Sequence, residues 1–199
     1  PQKNWMAFEF HHAKGNRPIL LYVYSINPHR VVHMHSLNGS SLNMTTLCVT
    51  KHQPTASLPV LWKYDSPRGG APAKLVHTVH GYRFLTFFHS PHQNHVTYIE
   101  SYHMGAYLFN PQPPFAITHI TPDLIACKQC YDEKLGWTYK AVDYINFPMG
   151  FVVRANDTLF LSIGKNDKSA YLLKMNKTAL IEYMVPVESS VVYTNPVWT

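Results

Sequence analysis

Three segments of the chain repeat one plan: an apolar strand, a polar turn, and a second strand in which apolar and polar residues alternate. They are Ile19–Ser25 with a turn at Asn27–Arg30 and a partner at Val31–His35; Arg83–His89 with a turn at Ser90–His95 and a partner at Val96–Tyr102; and Thr158–Ile163 with a turn at Gly164–Lys168 and a partner at Ala170–Met175. Alternation with period two marks a strand with one buried face, whereas a continuous apolar run marks one buried on both. Phe84-Leu85-Thr86-Phe87-Phe88 is of the second kind. Hardly any segment sustains a 3.6-residue period, and Val, Tyr, Phe and Thr recur throughout, so the pattern predicts an all-β chain. Equivalent positions lie 64 residues apart from Leu21 to Leu85, and 75 apart from Leu85 to Phe160. Hairpins recurring at such a period suggest the blades of a β-propeller with long loops. The chain then holds about three blades and part of a fourth, in one domain spanning 1–199. The tail after Pro186 leaves this plan, and Val191-Val192-Tyr193 within it reads as one more strand, closing the ring or docking elsewhere.

Composition agrees with a packed core: 46% of the 199 residues are hydrophobic and 14% charged. Links between hairpins are punctuated by Pro and Gly at Lys51–Ser57, Asn110–Pro114 and Tyr131–Gly136. The net charge of +6 is spread, with no run of three Lys or Arg, which argues against nucleic acid as a partner. No apolar run of about 18 residues is present, so no transmembrane segment is expected in this chain. Four N-x-S/T sequons, at Asn38, Asn43, Asn156 and Asn176, point to glycosylation and to the secretory pathway, in the Golgi lumen or outside the cell. Of three cysteines, Cys127 and Cys130 form either a local disulfide or two free thiols, and Cys48 reads as a small buried hydrophobe. An incomplete propeller would leave two apolar blade faces in water, so an upstream segment or another chain is expected to complete it. A start at Pro1 without methionine fits a trimmed chain.

Chemistry gathers at strand-to-turn junctions, because propeller strands bring their ends to a central funnel. Gly69 and Gly70 in the Arg-Gly-Gly corner can take positive φ without a Cβ clash, and with Pro67 and Pro72 on either side they deliver Arg68 on a rigid corner. His29 and Arg30 close the first repeat, His89 ends the second strand run, and Lys165, Asn166 and Asp167 occupy the third turn. Guanidinium groups make bidentate contacts with oxyanions and diols. Thirteen histidines, including His33 and His35 on one strand face, lack a recurring third ligand, so no metal is expected. No GxSxG, HExxH, Walker or dinucleotide fingerprint occurs, and no cofactor is expected.

The run from Arg68-Gly69-Gly70-Ala71-Pro72 to Gly81-Tyr82-Arg83-Phe84-Leu85-Thr86-Phe87-Phe88-His89 resembles the "RGG-x-P…GW-L-x-x-YH" pattern of β-mannoside phosphorylases and related β-mannosyltransferases, which are five-bladed β-propellers. Gly105–Phe109, Thr121–Ile125, Asn146–Gly150 and Gly164–Asp167 follow in that family's order, over roughly residues 1–187. The resemblance implies a glycan or sugar phosphate in a central funnel, arginines and a histidine on phosphate or sugar, and an aspartate as general acid. In the family's "N-K-D-x-x-x-F-P" that aspartate is replaced here by Asn4, within Gln2-Lys3-Asn4-Trp5. An amide cannot donate a proton as a carboxylic acid does, so Asn4 and Asp167 stand as catalytic candidates, with Glu9 a further acid. Trp5, beside Asn4, is the aromatic expected to stack on sugar. Two functions follow: a mannoside-type glycosyltransferase or glycosidase-like protein, or a non-catalytic secreted glycoprotein that keeps the scaffold as a structural or glycan-binding module.

Overall fold

The computed structural model describes residues 4–11, 17–38, 41–53, 62–93, 100–125 and 145–196. In chain order its strands are β1 (Met6–Phe10), β2 (Ile19–Ser25), β3 (His29–Asn38), β4 (Ser41–Gln53), β5 (Arg68–Gly69), β6 (Lys74–Thr78), β7 (Gly81–Gln93), β8 (Glu100–Phe109), β9 (Ile117–Ile120), β10 (Asn146–Val153), β11 (Thr158–Lys165), β12 (Ser169–Asn176), β13 (Val185–Pro186) and β14 (Glu188–Thr194). A single helix among the described residues, α1 (Lys177–Tyr183), follows β12, and the Asn176 side chain caps it by accepting from the Ala179 N–H. The chain is all-β in class, as the pattern predicts.

Each predicted hairpin belongs to a different antiparallel sheet. The first sheet runs β1-β2-β3-β4-β14, the middle one β13-β9-β8-β7-β5 with β6 also on β7, and the third β10-β11-β12. The strands at Ile19–Ser25, Arg83–His89 and Thr158–Ile163 therefore fall in β2, β7 and β11, each one place in from its sheet's first strand. Two boundaries differ from expectation. His29 and Arg30 open β3 instead of forming its turn, and β7 continues to Gln93, so that its partner begins at Glu100, after Val96. The tail strand β14 joins β4 at the edge of the first sheet, pairing Thr194 with Cys48.

Residues 84–90 are buried without a break because the middle sheet is covered on both faces. Phe84, Phe88, Tyr107 and Phe109 meet Met6, Phe8, Phe10 and Val31 of the first sheet. Leu85, Phe87, Met104 and Leu108 meet Phe151, Leu159, Leu161 and Ile163 of the third. The described sheets remain three separate open sheets, and no helix among the described residues is long and apolar enough to cross a membrane. Cys48 is fully buried, as expected, and burial raises its thiol pKa to about 11.

Candidate functional site at the starts of the first strands

The beginnings of β1, β5 and β10 lie side by side, and they bring Asn4, Arg68, Gly69, Gly70 and His89 together. A methyl group on Gly69 would overlap the Asn4 carbonyl oxygen and stand 3.2 Å from Cγ of Met6. One on Gly70 would lie 2.6 Å from the Phe87 carbonyl oxygen and 2.7 Å from Cγ of Pro148. Both positions need glycine for space. Neither takes the left-handed conformation open to it; among the described glycines positive φ is found at Gly81, 81°, which opens β7 after the turn at Val79-His80.

Arg68 is exposed and stands opposite His89 across the β5–β7 ladder. His89 is only 1% exposed; its ring stacks on Tyr102 at 4.9 Å and 25° and leans on Phe147 at 4.7 Å. Burial first, and the charge of Arg68 second, lower its pKa to about 4, against an opposing hydrogen bond to the Gly69 backbone. At neutral pH this imidazole is uncharged. Its Nδ1 has no hydrogen-bond partner among the described residues. Neither Tyr102 nor Phe147 was singled out from sequence, although Phe147 lies in the Asn146–Gly150 run.

Trp5 and Arg30 form a second group, on the face of the first sheet that turns away from the middle one. Trp5 packs on Tyr24 at 5.6 Å and on Tyr22 at 6.4 Å, and the Arg30 guanidinium lies 5.4 Å over the Tyr24 ring. Arg30 Nε donates to Thr46 Oγ1 at 3.1 Å. The two groups are joined by Asn4, whose side chain neighbour is Trp5 in sequence and whose carbonyl packs on Gly69.

His29 is a core histidine, not a ligand-facing one. It alternates inward with Val31 and sits 1% exposed between sheets, 5.3 Å from Phe109 and 5.7 Å from Tyr107. Burial, then the nearby His52, lower its pKa to about 3. Asn166 is also corrected. Its N–H donates to the Ile145 carbonyl at 2.8 Å and its Oδ1 accepts from the Ile145 N–H at 2.9 Å, so its side chain is used in holding the turn. Asn166 and Asp167 take positive φ of 54° and 51°, a conformation asparagine and aspartate tolerate. Asp167 is exposed, and Lys165 lies 5.8 Å over the Tyr171 ring. Because Ile145 also bridges to Tyr102, the turn borders the surroundings of His89. Glu9 is at the far end of β1, roughly 16 Å along the strand from Asn4, where it lines a groove of about 420 Å³ with Lys74 and Leu75. It is not an acid for the Asn4 end.

Asn43, Asn156 and Asn176 are exposed, and Asn176 uses its amide to cap α1. The side chain of Asn38 lies outside the described part, as do Cys127, Cys130, Trp137, Trp198 and Pro1–Lys3.

Neither a family model nor a curated protein matches the sequence. Among solved structures, the chain is similar to a β-1,2-mannobiose phosphorylase from Listeria innocua in complex with β-1,2-mannobiose, at a TM-score of 0.53 and 17% identity over 91% of this chain. It is also similar, at a TM-score of 0.39 and 12% identity over 98% of this chain and 69% of that one, to a mannose phosphorylase from Leishmania mexicana in complex with phosphate ion. The chain spans 46% of the length of the Listeria protein, a likeness of fold.

Proposed function

We propose that this chain is a carbohydrate-binding part of a β-propeller of the mannoside phosphorylase type, with its three sheets as successive blades and its ligand at the starts of β1, β5 and β10. The observation that carries the reading is the meeting of the backbone at Asn4, just before β1, with Gly69 of β5, whose neighbour Arg68 stands exposed opposite His89 of β7; these residues are far apart in sequence. The exposed guanidinium of Arg68 suits a sugar phosphate or the hydroxyls of a mannoside, while His89, 1% exposed, lies beneath that end as a neutral packing residue. A further segment or another chain would cover the outer faces of the first and third sheets. In a lumen of the secretory pathway, Asn43, Asn156 and Asn176 would carry glycans.

A second reading, a non-catalytic secreted glycoprotein, is favoured by the amide at Asn4, since among the described residues no acid takes its place to protonate a leaving group. The test is Asn4→Asp beside the parent protein, assayed on mannosyl phosphate and β-1,2-mannobiose with inorganic phosphate. Activity in the parent identifies an enzyme with another proton donor. Turnover in the variant alone identifies a lapsed enzyme, and sugar binding without turnover in either identifies a lectin-like module. The carbohydrate reading is overturned when neither protein binds any of these sugars.

A further inference from the structure

We propose that the groove between β1 and β6 seats an extended peptide, which adds a strand between the first and middle sheets. The site lies at the opposite end of β1 from Asn4 and stands independently of the carbohydrate reading. Ala73, which leads into β6, donates its N–H to the Ala7 carbonyl at 2.9 Å. The chain runs the same way on both sides of this bond, because Asn4 meets Gly69 before Ala7 meets Ala73. Beyond it the two strands belong to different sheets, and a groove of about 420 Å³ opens between them, within the roughly 300–1,000 Å³ of ligand pockets.

Both walls of the groove offer main-chain hydrogen bonds. The Ala7 carbonyl turns away from β2 to reach Ala73, and backbone direction alternates along a strand, so Glu9 also turns its N–H and C=O away from β2. On the other wall the two-residue turn Val79-His80 makes Thr78 and Gly81 a hydrogen-bonded pair. Val76 and Lys74 then face β7 as well, and Leu75 between them turns its N–H and C=O away from it. Neither outward-turned backbone has a partner among the described residues. Unpaired edges of this kind are templates for a further strand. The floor is apolar, with the buried rings of Phe8 and Phe84 4.8 Å apart. Glu9 and Lys74 stand exposed on the two walls, in no ion pair among the described residues. The occupant this combination selects is a peptide that alternates apolar residues, for the floor, with a basic residue for Glu9 and an acidic one for Lys74. The edge used is the side of β1 turned from β2, not the sheet face that a further blade would cover.

The experiment is calorimetric titration of the chain with the acetylated and amidated peptide Val-Lys-Val-Glu-Val-Thr, which the parent is expected to bind. Glu9→Lys should weaken that binding about tenfold by setting like charges against each other, and a peptide with Glu in place of its Lys should bind this variant better than it binds the parent. Leu75→Pro removes the outward N–H from an edge strand, where proline is tolerated, and should weaken every peptide by about threefold or more. Glu9→Lys changes an exposed side chain, so it decides the matter even where Leu75→Pro lowers the melting temperature. A peptide with N-methylated valines, which cannot donate to either edge, should bind about fivefold more weakly than the parent peptide. Absence of binding by the parent overturns the proposal, and so does binding that both variants leave unchanged or that N-methylation does not weaken. A dimer of the chain in sedimentation that Glu9→Lys splits overturns it in favour of a second copy in the groove. Sugar titrations of the same chain decide the carbohydrate reading separately.

Discussion

The middle and third sheets are made from hairpins of similar apolar content, yet they meet water very differently. In the middle sheet residues 84–90 are all buried, whereas on the third Val152 is 52% and Leu172 66% exposed. The cause is position. Among the described residues the middle sheet has a neighbour on each face and the third has one, and the side chains alternating away from that neighbour are exposed. The first sheet is in the same situation, with Leu20 at 49% and Met44 at 40%. Apolar residues on an uncovered sheet face mark an interface or an aggregation hazard. Under the propeller reading these two outer faces are where further blades would pack.

The sharpest way to break the comparison is to truncate one apolar residue in each sheet. Phe87→Ala should cost about 3–5 kcal/mol, the range for emptying a fully enclosed aromatic site. Leu172→Ala should change stability by no more than about 0.5 kcal/mol, as for an exposed substitution. Urea unfolding of both variants decides it. A Leu172 effect as large as that of Phe87 means its face is covered in solution and the contrast is lost.

Glycine to alanine gives a smaller contrast of the same kind. Gly69→Ala drives a methyl group into the Asn4 backbone and should cost about 1–3 kcal/mol or more, as overpacking does. Gly150→Ala meets nothing nearer than Ser162 Oγ at 3.8 Å and should stay within about 0.5 kcal/mol. The same unfolding measurement checks both, and Gly69→Ala should also impair any sugar binding at the Asn4–Arg68 junction.

How far these features were legible in the sequence depends on the range of the interaction. The strand at Ile19–Ser25 and the burial of Phe84–Phe88 were readable, because period and apolar run length are local properties. The three hairpins fell in three sheets for the same reason. Gly69 and Gly70 were marked correctly as special but for the wrong cause, since the need for space comes from Asn4 and Pro148, distant residues that no local rule can place. His29 and Arg30, adjacent and alike in sequence, separate into core and surface by a one-residue question of register, which turn assignment had blurred. Asn166 looked like a ligand because a polar residue in a turn gives no sign that its amide is taken by Ile145. The helix at Lys177–Tyr183 was missed, though Asn176 before it is a helix-capping residue type.

Acid should separate the sheets again, because the buried histidines lie in the first and middle ones and the described third sheet has none. His29, His52, His89 and His119 have native pKa values of about 3, 4, 4 and 4, all below the ordinary 6.5 and all chiefly through burial. The unfolded chain therefore takes up protons first. Stability is full above pH 6.5 and falls between 6.5 and about 4, each such histidine steepening the loss by about 1.4 kcal/mol per pH unit. Unfolding midpoints measured from pH 7 to pH 4 should show this slope, and His89→Gln should flatten it by one histidine's share.

The smallest effect belongs to the strut between the two sheets. Lys177 Nζ donates to the His77 carbonyl on β6 at 3.0 Å and pairs with Asp157 at 2.8 Å, while Asp157 also accepts from the Thr178 N–H at 2.9 Å. These hydrogen bonds, that of Lys177 foremost, hold the Asp157 carboxyl at about 2, below its ordinary 3.8. A lowered carboxylate pKa means that its contribution is complete above pH 3.8 and vanishes as the pH falls through about 2, a window that overlaps only the last part of the His29 titration. The pair is partly open to solvent, with side chains 15% and 32% exposed, so screening keeps its worth to about 0.5–1 kcal/mol. Asp157→Asn should cost that much at pH 7, keep an acceptor for Thr178, and leave the slope between pH 6.5 and 4 unchanged. A variant that altered the histidine slope would show that the strut, and not burial between sheets, governs how the middle sheet responds to acid.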